Sequence, residues 1–297
     1  MQEFKILEKV IPLLSQSGNI AIGPGDDCAA IEFSDGDYLL AGTDQMVCGL
    51  HYFPDVDPER IGAKLLKRNL SDIASMGGSP ICALLSLATT NSKLKWFERF
   101  FQGLEQEARS WGVSVCGGDL SGLPAGNLRE TMSLTILGRV ARDKICLRRN
   151  ARSGDFLYAT GCFGNSLTSE HHLEFIPRLP EGQFLAETGV RAMIDVSDGL
   201  LVDASRMAVA SQVALRLDPD LIPLRPGADI SGALGDGEDY ELLFAVPPNL
   251  AETVEQNWKF TTRLTRIGIF EEGAGVIGRD GGNLLKDRNT GYEHQFA

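Results

Sequence analysis

The chain is poor in the residue types that hold zinc or form disulfide bonds. Its 297 residues include only four histidines, and its six cysteines are scattered without a C-x-x-C pair. This spacing argues against a zinc site and against a disulfide framework. We therefore expect reduced thiols and a cytoplasmic protein.

Long apolar runs and an excess of positive charge are also absent. No stretch approaches the roughly 18 apolar residues of a membrane span, and the first residues do not resemble a signal peptide. Acidic residues outnumber basic ones by 40 to 28, which gives a net charge of −12. Such a chain is a poor binder of nucleic acid or of a membrane surface, because phosphates need positive counter-charge. If it binds nucleotides or phosphate esters, a divalent cation must supply that charge.

No G-x-x-x-x-G-K-[ST] motif occurs, so the chain is not a P-loop nucleotidase. What the sequence does have is the composition of a soluble globular protein, with 43% hydrophobic and 23% charged residues. Its length predicts about two domains.

Strand and helix patterns alternate along the chain, which predicts an α/β or α+β fold built in layers. The basic segment 142–152 interrupts the pattern and predicts a boundary between residues 1–141 and residues 142–297. Helices are expected from Asp57-Pro58 to about Met76, from a Ser92 cap to about 108, and over 200–211. The expected strands are 38–42, 81–88, 113–116, 131–136, 156–160, 192–194, 240–246 and 264–270.

Aspartates fall repeatedly at predicted strand ends or beside glycine turns. Asp27 follows a Gly-Pro-Gly turn, Asp44 and Asp195 each end a predicted strand, Asp119 follows Gly-Gly, and Asp198 precedes a glycine. Ligand sites of α/β proteins are typically found at such places, although each aspartate alone is also typical of an ordinary turn. Together they favour a shared site for a hard cation such as Mg²⁺, since the ligands are oxygens without Cys or His.

Asp72 is predicted to lie on the apolar face of its helix. At 100° per residue it falls within about 20° of Ile61 and Leu65. An unpaired buried carboxylate is costly, so Asp72 should have a cation. The alternatives are a salt bridge to Lys or Arg, or a helix-end position with access to solvent.

Seven segments, in the same order along the chain, carry a resemblance to a known family. The segments are GDDCA at 25–29, TD at 43–44 with HYF at 51–53, NLSDIASMG at 69–77, GGD at 117–119, DVSDGL at 195–200, GEDYEL at 237–242 and GYEH at 291–294. The chain resembles the thiamine-monophosphate kinases, which belong to the superfamily of aminoimidazole ribonucleotide synthetase.

The resemblance implies Mg²⁺-assisted, ATP-dependent phosphorylation of thiamine monophosphate to thiamine diphosphate. It also implies a homodimer whose N-terminal domains pair into a barrel-like sheet core, with a separate α/β C-terminal domain. By likeness, the magnesium shell is Asp27, Thr43, Asp44, Asp72, Asp119, Asp195 and Asp198, and the nucleotide contacts are Gly118, Asp119, Arg148 and Ser197. The thiamine-phosphate contacts are His51, Glu238 and Tyr292, and Asp44, Asp72, Asp119 and Arg148 are expected to act in catalysis.

Two other interpretations remain open at this stage. Selenophosphate synthetase, a hydrogenase-maturation protein or a purine-pathway amidine synthetase would share the fold, ATP and Mg²⁺. Selenophosphate synthetase requires a reactive cysteine or selenocysteine with a nearby lysine close to the N-terminus. A hydrogenase-maturation protein requires a C-terminal cysteine. A non-catalytic Mg-nucleotide-binding module is the other interpretation, because Gly42 stands where the family commonly has Ser or Thr and segments 164–180 and 217–235 are short.

Overall fold

The computed structural model describes residues 3–16, 18–33, 36–124, 126, 129–286 and 291–294. Within these residues the strands form two six-stranded sheets, one from residues 20–141 and one from residues 156–277. Helices pack against both sheets, so the predicted mixed α/β class is confirmed. No helix of the described residues is long and apolar enough to cross a membrane.

The first sheet has the strand order β1-β2-β3-β6-β4-β5. All neighbours are antiparallel except β4 and β5, which are parallel. Its strands are β1 Ile20–Ile22, β2 Ala29–Glu32, β3 Asp37–Val47, β4 Ser79–Thr89, β5 Ser114–Gly122 and β6 Thr131–Ala141. The helices of this half are α1 Glu3–Val10, α2 Pro58–Ser75 and α3 Leu94–Ser110.

The second sheet has the order β12-β9-β11-β7-β10-β8, with only the short β12 parallel to its neighbour. Its strands are β7 Phe156–Thr160, β8 Ala192–Asp195, β9 Ala214–Leu217, β10 Leu242–Val246, β11 Leu264–Glu271 and β12 Gly275–Ile277. The helices of this half are α4 His171–Glu174, α5 Leu179–Thr188, α6 Leu200–Ser211, α7 Ile230–Gly235 and α8 Pro248–Asn257.

Helix α2 matches its prediction at both ends. The Asp57 carboxylate caps its N-terminus by accepting from the Glu59 amide at 3.0 Å, and Pro58 occupies the first turn. The helix ends before Gly77, whose φ of +69° suits the left-handed turn that follows a helix. The predicted alternation of β6 is also confirmed, since Met132, Leu134 and Ile136 are all fully buried.

Several boundaries differ from the prediction, and β6, for example, continues to Ala141 instead of ending at 136. Helix α3 begins at Leu94 without a Ser92 cap, and the Asn91 side chain instead accepts from the Lys93 amide at 2.9 Å. Strands β3 and β5 continue through Asp44 and Asp119 rather than ending there. The polar residues do not stop these strands, because an antiparallel ladder with β6 holds β3 along its whole length and an exposed sheet face accepts polar side chains.

Candidate active site

Three carboxylates from distant parts of the chain meet where the two halves of the molecule touch. One oxygen each of Asp27, Asp72 and Asp195 lies within 4.8 Å of the other two. Asp27 comes just before β2, Asp72 lies in the last turn of α2, and Asp195 ends β8 of the second sheet. We call these three residues the carboxylate cluster.

Two serines of α2 fix the orientation of this cluster. Ser71 Oγ donates to Asp195 Oδ2 at 2.6 Å, and Ser75 Oγ donates to Asp27 Oδ2 at 2.6 Å. Both serines are buried. The helix that supplies Asp72 therefore also holds the other two carboxylates through hydrogen bonds.

The cluster concentrates negative charge in a place where Asp195 is buried and Asp27 and Asp72 are half-buried. Burial raises the pKa of Asp72 well above its usual value, and the nearby Asp44 raises it further. Burial likewise raises the pKa of Asp195, and the charge of Asp27 adds to the effect. Three crowded oxygen ligands without nitrogen or sulfur fit a hard divalent cation such as Mg²⁺, which would favour the ionised carboxylates.

Two arginines border the cluster. A terminal nitrogen of Arg148 contacts Asp27 Oδ1, and its buried Nε has no hydrogen-bond partner among the described residues. Arg68 lies one helical turn before Asp72, but its Nε donates to Asp44 Oδ2 at 3.0 Å. Asp72 thus has no salt bridge among the described residues, although the charge of Arg68 lies close enough to lower its pKa. The side chain of Asp72 is half-buried rather than fully buried.

A cavity of about 410 Å³ opens between the two halves of the chain, and its lining includes Arg68, one helical turn before Asp72, and Ser197, two residues after Asp195. It brings together five of the residues predicted from the sequence. Its lining includes His51, Ser197, Asp198, Glu238 and Tyr292. Tyr292 keeps 42% of its surface exposed, so one part of its ring is free to contact a ligand.

Lys64 is a site residue that the sequence reasoning missed. Its Nζ is fully buried and donates to both Glu238 oxygens, at 2.9 and 3.0 Å, and to the His51 carbonyl at 2.7 Å. Burial lowers the pKa of Lys64 to about 8. Burial alone would raise the pKa of Glu238, but Lys64 and Arg68 lower it. The only local signal was one lysine within the apolar segment 61–66.

The backbone that carries Glu238 is strained. Glu238 and Tyr240 both adopt left-handed conformations, with φ of 54° and 50°. Non-glycine residues in this region each cost about 1–3 kcal/mol and are often found at functional sites. The Lys64 ion pair helps to hold this loop in place.

His51 lines the cavity as a neutral imidazole. Burial lowers the pKa of its imidazole to about 4, so the ring is uncharged near neutral pH. The Nδ1 atom accepts from the Val47 amide at 3.0 Å. The proton of the neutral ring must therefore lie on Nε2.

Several predicted residues are not members of the carboxylate cluster. The Thr43 hydroxyl donates to the Leu134 carbonyl at 3.3 Å, and Asp119 lies exposed on β5 in register with Ser86. Gly118 precedes Asp119, and a Cβ there would fall 1.8 Å from a neighbouring carbonyl oxygen, so only glycine fits. Asp198 lines the cavity and pairs with Arg206 at 2.6 Å.

Two family models match separate parts of the chain. The family model described as "AIR synthase related protein, N-terminal domain" matches residues 25–140, and its C-terminal counterpart matches residues 159–280. Thiamine-monophosphate kinase of Rhodopirellula baltica is 35% identical, covering 90% of this chain and 86% of the relative. The Escherichia coli K12 enzyme of the same name is 31% identical, covering 82% of each chain.

A solved structure is also similar to this chain over nearly its whole length. The structure of AaThiL complexed with AMPPCP and TMP superposes with a TM-score of 0.85 at 28% identity. The superposition covers 99% of this chain and 97% of that one. The likeness therefore includes both sheets and the cavity between them.

Proposed function

The chain belongs to the thiamine-monophosphate kinase family of AIR synthase related proteins, and we propose that it transfers the γ-phosphoryl group of ATP to thiamine monophosphate. The observation that carries the proposal is that the same segments supply the cavity and the carboxylate cluster, since Arg68 and Ser197 line the cavity close in sequence to Asp72 and Asp195. The superposed AaThiL structure contains both an ATP analogue and TMP. An acidic site of this kind needs divalent metal to accept two phosphate-bearing substrates.

Asp27, Asp72 and Asp195, with Asp44 nearby, are the residues that would hold Mg²⁺. When bound, the metal neutralises charge on the ATP phosphates and on the transferred group. Asp198 is proposed to join this set from the cavity side. Thr43, Gly118 and Asp119 are proposed to serve the nucleotide and its metal from the first sheet, with Ser197 contacting the nucleotide from the second half.

Arg148 is proposed to act on the transferred phosphoryl group. It sits beside Asp27 and retains an unpartnered Nε. A guanidinium group in this place can hold phosphate oxygens through directed N–H donors. It would thereby neutralise charge that develops on these oxygens during transfer.

The acceptor is proposed to lie in the cavity between Tyr292, Glu238 and His51. The thiazolium ring of thiamine is cationic, which favours an aromatic face and a carboxylate. The neutral His51 can donate a hydrogen bond from Nε2. The phosphate of the acceptor has a second pKa of about 6 and is largely ionised at pH 7, so its attack needs no strong general base.

We propose direct in-line transfer without a phosphoenzyme. With ATP made chiral at the γ-phosphorus, the configuration of the transferred group should invert. Retention of configuration, or isolation of a labelled enzyme after incubation with ATP alone, would contradict direct transfer.

A homodimer with a barrel-like sheet core is proposed from the first sheet. Strand β5 forms one edge and is exposed at almost every position. Large apolar side chains are exposed there as well, namely Ile81, Leu84, Phe101 and Leu120. A second copy covering this surface would bury them. On this proposal, residues 1–141 form the dimerisation and ATP-binding domain, residues 142–297 form the second domain, and the enzyme works in the cytoplasm.

A substrate comparison tests the proposed activity. Purified protein is incubated with ATP, Mg²⁺ and either thiamine monophosphate or thiamine, and the products are separated by chromatography. Thiamine diphosphate should form from the monophosphate, while thiamine should give no phosphorylated product. If the protein hydrolyses ATP without phosphorylating either compound, the proposed function is wrong.

A further inference from the structure

Arg68 lies between the carboxylate cluster and the acceptor cavity. It belongs to α2, between Lys64 and Asp72, and only 11% of its side chain is exposed. It also lines the cavity together with Glu238 and Tyr240. No motif from the sequence pointed to this arginine.

The guanidinium group of Arg68 is fixed on one side only. Its Nε donates to Asp44 Oδ2 at 3.0 Å, and its Nη1 donates to the Gln45 carbonyl at 3.1 Å. Its Nη2 has no hydrogen bond with a described residue. A guanidinium held in this way has a fixed plane and keeps donors available for an anionic oxygen.

The rest of the cavity offers an anion little positive charge. Asp198, Asp236 and Glu238 make the lining acidic, and Arg68 is the one Lys or Arg among the described lining residues. Lys64 is not a lining residue, and its ammonium group already donates to both carboxylate oxygens of Glu238. His51 is neutral. Among the described lining residues, Arg68 is therefore the one side chain with a permanent positive charge that a phosphate group can contact.

We propose that Arg68 binds the phosphate of the acceptor and makes the site specific for a phosphorylated over an unphosphorylated ligand. The proposal rests on the proposed function, since it names a contact of the same acceptor. Arg68 joins the phosphate to Asp44, and so places the accepting oxygen next to the carboxylate cluster. The thiamine rings keep their contacts with Tyr292 and Glu238.

Equilibrium binding separates this role from a general effect on activity. Calorimetry with Mg²⁺ and a non-hydrolysable ATP analogue measures the affinity for thiamine monophosphate and for thiamine. Arg68→Gln should weaken thiamine monophosphate binding by roughly 10- to 100-fold, the loss typical of a charged hydrogen bond. Its affinity for thiamine should stay within about 2-fold. Arg68→Lys should recover part of the loss, because it restores the charge without the planar fork.

Arg109→Gln is the matched control, since Arg109 also bonds a carboxylate through Nε but lies exposed on α3. It should bind both ligands as the wild type does. Equal losses for both ligands in Arg68→Gln, or a loss of affinity for the ATP analogue instead, would show that Arg68 serves only Asp44 and would overturn the proposal. So would a wild type that prefers thiamine or binds neither ligand. A wild type that binds thiamine monophosphate in preference but makes no thiamine diphosphate would refute the kinase function while supporting the Arg68 contact.

Discussion

Lys64 Nζ lies 2.9 Å from Glu238 Oε1, although 174 residues separate the two along the chain. The lysine belongs to a helix of the first half and the glutamate to a loop of the second half. This ion pair joins the halves at the cavity, and it keeps Glu238 ionised for a cationic ligand.

Removing Lys64 should destabilise the protein and disturb the cavity. Lys64→Met leaves Glu238 as a largely buried carboxylate without its partner, which should lower the free energy of unfolding by about 3 kcal/mol. Urea unfolding followed by circular dichroism measures the loss. The exposed pair of Arg109 and Glu105 offers a comparison, and Arg109→Ala should cost less than about 1 kcal/mol.

The double variant Lys64→Met/Glu238→Gln distinguishes ion-pair loss from poor packing. It removes both charges, so it should be more stable than Lys64→Met alone. A double variant no more stable than Lys64→Met would show that lost packing of the lysine stem, and not the unpaired charge of Glu238, causes the destabilisation.

Asp72→Asn should leave the fold intact while reducing turnover by at least about 100-fold. The amide has the shape of the carboxylate but lacks the charge that a metal ligand must supply. The free energy of unfolding without metal should not fall, because one of three crowded charges is removed. Activity close to that of the wild type at ordinary Mg²⁺ concentrations would exclude Asp72 as a metal ligand.

Asp239 should make stability depend on pH. Burial raises the pKa of this carboxyl from 3.8 to about 6, even though Arg225 pairs with it at 2.7 Å. The folded state then holds the proton more tightly than the unfolded state, so its contribution is full below pH 3.8 and is lost as pH rises through 6. Relative to Asp239→Asn, the wild type should lose about 2 kcal/mol between pH 4 and pH 7. Parallel urea unfolding of both proteins checks this, and a constant difference across the range would contradict it.

Tyr292 should act on the acceptor and not on ATP. Tyr292→Ala removes an exposed aromatic face from the cavity lining, so it should raise KM for thiamine monophosphate by roughly 10-fold and leave KM for ATP unchanged. Steady-state kinetics with each substrate varied in turn gives both constants. Equal increases would indicate that the tyrosine orders the cavity as a whole.

Local patterns predicted the parts of the fold that depend on neighbouring residues. Asp57 and Pro58 predicted the start of α2, and the alternation from Met132 to Ile136 predicted one buried face of β6. The ends of β3 and β5 were predicted wrongly, because ladder pairing between strands decided them.

The candidate site shows the same contrast between features that local patterns predict and contacts that only the folded chain creates. Oxygen-rich segments predicted a larger group of ligands, and Asp27, Asp72 and Asp195 are the three of them whose oxygens lie close together in the fold. The partners of Lys64 and Arg68 could not be found from spacing, since Glu238 and Asp44 reach them only after the chain folds. The separation of Asp119 from the cluster also depends on the sheet order, which places β5 three strands away from β3.

The most direct test of the account is the stoichiometry of the reaction measured with the wild type and Asp72→Asn side by side. Thiamine diphosphate and ADP are quantified over time from ATP and thiamine monophosphate, with Mg²⁺ and with a chelator. The account predicts one thiamine diphosphate for each ADP in the wild type, and none with the chelator or in Asp72→Asn. ADP release without thiamine diphosphate, or equal product from the variant, would contradict it.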